Sequence, residues 1–573
     1  MHSFYKKYIT VPELHTRVSP FSPAPTLSKT DSTLWYFLGG WLLLNLFSAA
    51  FTGLSYDEAY YWMYSKFPDW GYFDHPPMIA LLDRLGYFFL NDEIGVRLFT
   101  VLCSCLTLWL LYKLCGVQQV FIFALLVVSI FPLHMFGFIS VPDVPLLLFS
   151  VLFFYTYRIF LEENTLPSAI TVAMTMAGLM YSKYHGIILI AAVMASNPRL
   201  LLNKKFWLAG IFALALYLPH LLWQYTHDFI SLRYHLVDRS ARVYQVKYTI
   251  EYLFAQIFFY GPLAGLLLFY YTLRSSSENT FERGLKYTFV AFMVFFLFSS
   301  FKGHVEANWT IPALVPMFYF SMRYISRHTG AFKVLKIVAA ISFPVFIGAR
   351  LILAFAQEAY VPRMGEMVGW EKYTKQLLTE AGDLPIIANS YQEASMLSFY
   401  SGRIIPSLNI RGRSNQFDLW GFSYAYEGQK VVLLNSFMSE GKKLLDPKKK
   451  WQTLTFIDKL PVYQGLQLET TKQYKGRAGE IISIPLQLHT LSGKIPRHYF
   501  PATVIRYAFY PLDFSFCEKE SWSCIYTPAF QHSTWATVRV ELPLKKGVYK
   551  VKFSFEAMSG AWETQRSTEI EVF

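Results

Sequence analysis

Apolar stretches of helix length recur from residue 34 to residue 356 and then stop. A membrane-spanning helix needs about 20 mostly apolar residues. Eleven segments are candidates on that criterion: 34–54, 95–114, 118–136, 143–161, 167–181, 184–196, 206–224, 250–273, 284–300, 309–324 and 333–355. The fifth and sixth are short, and read equally as a kinked pair or a re-entrant element. Past residue 356 the pattern alternates between helix-like and strand-like runs: EKYTKQLLTEAG, PIIAN, SYQEASMLSFYSG and KVVLLNS. That order predicts a small α/β unit. From about residue 460 the runs IISIPLQLHT, TVIRYAFYPL, TVRVELPL, VYKVKFSFEA and STEIEVF alternate polar and apolar positions between Gly, Pro and Lys turns. A β-sandwich of roughly 110 residues is the expectation.

The predicted organisation is an N-terminal segment (1–32), a helical membrane domain (33–356), a small α/β domain (357–458) and a β-sandwich (459–573). Composition agrees with a membrane protein. Of the 573 residues 54% are hydrophobic and only 16% charged, outside the soluble norm. Residues 1–32 are polar and carry proline, and no short apolar core with a cleavage site follows their lysines.

Basic residues set the expected orientation. With Lys6, Lys7, Arg17 and Lys29 cytoplasmic, Lys113, Arg158, Lys204, Arg274 and Arg323 fall on the same side. The first loop, 55–93, carries seven acidic and two basic residues and falls outside. An odd number of spans leaves the C-terminal domains outside as well. Loop 225–249, with Arg233, Arg239, Arg242 and Lys247, is basic on the outer face, and an anionic ligand is the natural reason. A net charge of +13 fits phospholipid surfaces or polyanionic substrates, whereas a chain mostly in the bilayer does not suit nucleic acid. Cys103, Cys105 and Cys115 lie in apolar helix and read as packing residues. Cys517 and Cys524 could close a small hairpin in an oxidising compartment.

Candidate chemistry concentrates in SYDEAYYWMYSKFPDWGYFDHPP, residues 55–77. Carboxylates at a membrane exit are costly to dehydrate and point to function. A helix from Asp57 puts Asp57 and Tyr61 on one face, four apart, although an interfacial aromatic belt explains the tyrosines equally well. Asp143, between two prolines, is either a helix N-cap or a second functional acid. Lys183 in MYSKYHG is either a snorkelling lysine or a phosphate contact. Segments 220–236 (His227, Asp228, Arg233, His235) and 300–309 (Lys302, His304, Glu306, Asn308) add cationic and donor groups at the same predicted side.

Few carboxylates with many cations suit sugar transfer from a lipid phosphate. The phosphate is already a good leaving group, so one carboxylate can take the acceptor's proton while cations stabilise the departing phosphate. A glycosidase would need two opposed carboxyls. A transporter or flippase of a lipid-linked sugar is the alternative, but the internal repeat common in transporters is not visible in the sequence.

On SYDEAYYW with WGYFDHPPMIALL, and then VPDVPLLLF, SKYHG, WQYTHDFISLRYH, FKGHVEANWTIPA, NSYQEASMLSFYSGR and GRSNQFDLWGF, residues 34–420 resemble the GT-C glycosyltransferases. They are similar to the protein O-mannosyltransferase and aminoarabinose transferase superfamily, in its bacterial family 39-like branch. The resemblance implies a polyprenyl-phosphate-linked donor, an inverting transfer and a site at the outer face of the cytoplasmic membrane. It implies Asp57 as base, Glu58 as its support and Asp143 as second acid. Tyr61, Lys183, Arg233, His235, Lys302, His304 and Asn308 become substrate contacts. In the aminoarabinose branch the acidic residue of the Y-F-E-K-P turn helps hold a metal. Here Asp74 holds that position, followed by His75 rather than Lys; a divalent ion (Mg, Mn or Zn) would sit on Asp74, with His227 or His304 completing its ligands. The acceptor, a lipid such as lipid A, a surface polysaccharide or a protein, is not borrowed from the resemblance. The β-rich domain would hold an acceptor or act as a lid, and Trp522, Trp535 and Trp562 would stack on sugars or pack in its core.

Overall fold

A computed structural model describes residues 32–117, 119–238, 244–356, 358–360, 364–410, 412–470, 473–494, 504–511, 523–526, 535–557 and 560–573. The N-terminal segment, Arg239, Arg242, Cys517 and Trp522 lie outside the described residues. Helices run through all eleven apolar segments. Five described helices are long and apolar enough to cross a membrane: Ser32–Phe51, Glu93–Cys115, Asp143–Glu163, Lys204–Thr226 and Thr329–Phe355. The eighth segment is not a straight span. Val246–Phe259 and Ala264–Arg274 meet at 96°, because Gly261 takes a left-handed φ of 106° and Pro262 has no N–H to continue the helix. The fifth and sixth segments, Leu166–Ser182 and Gly186–Ser196, are separate helices, and the break between them holds Lys183.

The first loop folds into two short helices, Tyr56–Lys66 and Met78–Phe89, at one end of the bundle. They share a hydrophobic core with the unit that follows residue 364. Trp62 meets Phe399 edge-on at 5.1 Å, Tyr56 meets Trp370 at 5.5 Å, and Tyr60 lies 4.6 Å from Tyr391. That unit is the expected alternation of helix and strand: Trp370–Ala381, Ile386–Ala388, Tyr391–Ser401 and Val431–Asn435, in a four-stranded sheet completed by Lys442–Leu445 and Trp451–Ile457. Ile386–Ala388 and Val431–Asn435 pair in parallel and the other pairs are antiparallel. The C-terminal strands form a three-stranded and a five-stranded sheet around a common core. Cys103, Cys105 and Cys115 are free thiols in the bundle.

One buried ion pair fastens the loop to the bundle. Arg97, fully buried in the first turns of Glu93–Cys115, reaches both Glu58 oxygens, Nε at 2.6 Å and Nη2 at 2.7 Å. Its remaining donors take the carbonyls of Ala49, Thr52 and Gly53, where the first span ends. Those carbonyls have no partner within their own helix, so a guanidinium there satisfies them and meets the negative end of the helix dipole. Removing one member of a buried pair strands the other, at a cost of about 3–5 kcal/mol, whereas replacing both with apolar residues is often close to neutral. Arg97→Met is therefore expected to lower the thermal midpoint in detergent sharply, and Glu58→Leu added to it to restore much of the loss. Equal destabilisation by the single and double variants would contradict the pairing.

Candidate functional site

The helix Tyr56–Lys66 begins in a capping box. Ser55 Oγ accepts from the Glu58 amide, while the Ser55 amide donates to Glu58 Oε2 at 2.9 Å. Glu58 also accepts from the Ser140 amide at 2.9 Å. Two guanidinium bonds, the cap and the Ser140 amide commit both its oxygens, so its support of Asp57 runs through the helix it fixes. Asp57, one residue earlier, points the other way. It is exposed and has no hydrogen-bond or ion-pair partner among the described residues. The surrounding protein still deprives it of bulk water. That loss, followed by the charges of Asp74, Glu366 and Glu306 and opposed by Arg413, pushes its carboxyl up to about 6.

Tyr61, one turn on, is buried, with Asp57, Asp74 and Asp143 all within electrostatic reach. Burial first, and then these acids, hold its phenol well above its ordinary value. Its ring meets His75 at 5.5 Å. The expected pairing of Asp57 and Tyr61 on one helix is present, but Tyr61 faces protein rather than an aromatic belt.

Asp74 lies in the turn after this helix. Gly71 permits the turn, since a Cβ there would lie 2.4 Å from the Trp223 ring. Asp74 Oδ2 accepts from Tyr60 Oη at 2.9 Å and Tyr64 Oη at 3.3 Å. Oδ1 accepts from Arg413 Nη1 at 2.8 Å. His235 Nε2 lies 2.8 Å from the Asp74 carbonyl, and Ser231 Oγ donates to the carbonyl of Tyr72. His235 thus braces the turn through its backbone.

Asp143, Lys183 and Asn308 come together from three helix ends. Lys183 Nζ donates to both Asp143 oxygens at 3.0 and 3.1 Å, and Asn308 Nδ2 to one of them at 3.0 Å. Asp143 makes no N-cap bond, and Lys183 does not snorkel: both are buried. Arg233 is exposed near the turn, and Lys302 is exposed on the 300–309 segment. His304 lies 3.4 Å from Glu251 and 3.6 Å from Glu306. His227 stacks on Trp223 at 4.2 Å, and its Nδ1 lies 2.9 Å from the Trp223 carbonyl.

The donor set around Asp74 does not fit a divalent ion. Its oxygens face two phenols and a guanidinium, and a metal would have to displace a cation already in place. Neither His227 nor His304 contacts Asp74, and no group of three His, Cys, Asp or Glu suited to a metal occurs among the described residues. Arg413, which meets Asp74 across 339 positions of sequence, is the site residue that sequence reasoning missed. GRSNQFDLWGF contains it, so the motif was the available signal.

Comparison with known proteins bears on the family and the fold. A family model described as dolichyl-phosphate-mannose-protein mannosyltransferase matches residues 74–223, which include Asp74, Asp143 and Lys183. The structure of ArnT from Cupriavidus metallidurans in the apo state aligns with a TM-score of 0.55 at 12% identity, over 74% of this chain and 98% of that one. The same protein bound to undecaprenyl phosphate aligns with a TM-score of 0.51, again at 12% identity and with the same coverage. Arabinofuranosyltransferase AftD from Mycobacteria gives a TM-score of 0.40 at 12% identity, over 78% of this chain and 43% of that one. No curated protein matches the chain in sequence. The chain has the GT-C fold, as the sequence resemblance implied.

Asp74→Asn keeps the shape of the turn and removes the charge facing Arg413. Hydrogen bonds to charged groups contribute about 1.5–3 kcal/mol. Amide hydrogen exchange across residues 412–418 is expected to quicken by about 10- to 100-fold in this variant. Unchanged exchange there would mean that Asp74 does not hold that segment.

Proposed function

We propose that this membrane protein of the GT-C superfamily transfers a sugar from a polyprenyl-phosphate-linked donor to an acceptor hydroxyl, with Asp57 as general base. The acceptor oxygen attacks the anomeric carbon as its proton passes to Asp57. The bond from that carbon to the phosphate oxygen breaks, and its electron pair leaves with the polyprenyl phosphate. A single displacement inverts the anomeric centre. The site faces the outer side of the cytoplasmic membrane, the side also taken by residues 357–458 and 459–573, and the acceptor is a lipid such as lipid A, a surface polysaccharide or a protein.

The observation that carries this reading is the division of labour among the acids. Glu58 is committed to Arg97, Asp74 to Arg413 and two phenols, and Asp143 to Lys183 and Asn308. Asp57 alone is exposed and unpartnered among the four. One free base beside held cations suits transfer from a phosphate, whereas hydrolysis by paired carboxyls needs a second free acid. Asp143 and Lys183 then act as a neutral, rigid wall to which Asn308 is tied. Undecaprenyl phosphate, which the ArnT structure binds, is a reasonable carrier for the donor.

Purified protein, given a panel of radiolabelled polyprenyl-phosphate sugars and a membrane extract supplying acceptors, should transfer label. Asp57→Asn should lose transfer by about 10²–10⁴-fold, because the amide cannot accept a proton. Unchanged transfer would remove Asp57 from the role of base. A base must be ionised to act, and the Asp57 carboxyl sits near 6. The wild-type rate should therefore fall about tenfold per pH unit below 6 and level off above it. A rate flat between pH 5 and 8 would contradict the assignment.

A further inference from the structure

We infer that Arg413, carried in by the segment after the membrane helices, binds the phosphate of the lipid-linked donor; the inference rests on the lipid-phosphate reading above. The geometry favours this cation over Lys183, and unlike the exposed Arg233 and Lys302 it is held against Asp74. Lys183 is buried and spends its ammonium on both oxygens of Asp143. Arg413 pairs with Asp74 and is 37% exposed at its side chain. Of the five N–H donors of a guanidinium, three are used, on Asp74 Oδ1, the Ser414 carbonyl and Tyr391 Oη. The other two have no partner among the described residues. The rings of Tyr234 and Tyr391 lie 5.0 and 5.1 Å from the guanidinium carbon and fix its plane.

The segment that carries Arg413 is built to hold it still. Asn409, at a left-handed φ of 57°, donates from Nδ2 to the Arg413 carbonyl at 2.7 Å and to Asp418 Oδ2 at 2.9 Å. Gly412 leaves room for this, since a Cβ there would lie 2.0 Å from Asn409 Oδ1. Two further bonds dock the segment on the loop that bears Asp57. The Gln416 amide donates to Tyr60 Oη at 2.8 Å, and the Phe73 amide donates to Gln416 Oε1 at 2.8 Å.

A guanidinium matches a phosphate through paired N–H···O bonds, and pre-positioning it lowers the cost of binding. Arg413 also acts on Asp57, lowering its carboxyl against the stronger effects that raise it. During transfer, negative charge moves from the base to the departing phosphate. A cation within electrostatic reach of the base and bound to the phosphate would keep a favourable interaction as that charge moves. The acidic turn is thereby given a fixed positive group by the protein itself.

The test is binding of undecaprenyl phosphate to the full-length protein in detergent, with undecaprenol and inorganic phosphate as the other two ligands. Arg413→Met is expected to weaken undecaprenyl phosphate by about 10- to 100-fold and leave undecaprenol unchanged, with Arg413→Lys in between. Tyr391→Phe, a milder change that frees one guanidinium donor without removing the charge, should weaken it several-fold less. Equal affinity of wild type and Arg413→Met for undecaprenyl phosphate would overturn the inference. So would a matching loss of undecaprenol, which would make Arg413 only structural. Competition by inorganic phosphate as strong as by the lipid would overturn the lipid source. If the wild type itself fails to bind undecaprenyl phosphate, the lipid-phosphate reading falls and takes this one with it. Asp57→Asn should bind it normally, which separates loss of the base from loss of this contact.

Discussion

Everything at the site hangs from the buried contact between Glu58 and Arg97. The chain must leave the first span, turn, and start a new helix at the edge of the bilayer, where unpaired backbone carbonyls and amides are costly. Arg97 satisfies the carbonyls that end one helix, and Glu58 satisfies the cap that begins the next. Ser140, bonded to Glu58 through its amide and to Asp83 through its hydroxyl, brings in the turn that precedes Asp143. With those three chain segments locked, Asp57 is presented at the start of its helix with nothing else to do.

The same logic separates reactive from structural acids. A carboxylate whose oxygens are taken by a guanidinium, an ammonium or phenols cannot collect a proton without breaking those bonds. Asp57 meets no such obstacle, and its raised carboxyl remains mostly ionised near neutrality. The proposed displacement at an anomeric carbon therefore needs neither a second free acid nor rearrangement of the buried pairs.

Much of this was legible in the sequence because spans, caps and alternating strands are local patterns. The α/β order after residue 370 and the five long sandwich strands follow the runs that predict them. The bend at Gly261–Pro262 was written in the chain, yet apolar length alone passed over it. Glu58 was harder: adjacency to Asp57 suggested chemistry, and only an arginine at the start of an apolar segment, Arg97, hinted at its partner. Asp143, Lys183 and Asn308 were each recognisable, but three helix ends had to meet before their bonds could be seen. Arg413 depends on contact between a membrane loop and a segment some 340 positions away, and no local rule carries that information.

A single displacement assisted by one base leaves a stereochemical signature, and that signature is the most direct test of the proposed transfer. A polyprenyl-phosphate sugar of known anomeric configuration would be turned over by the purified protein and the product's anomeric proton read by NMR. The account predicts inversion in every product molecule. Retention would require a covalent glycosyl intermediate on an enzyme nucleophile, and would contradict the assignment of Asp57 as general base.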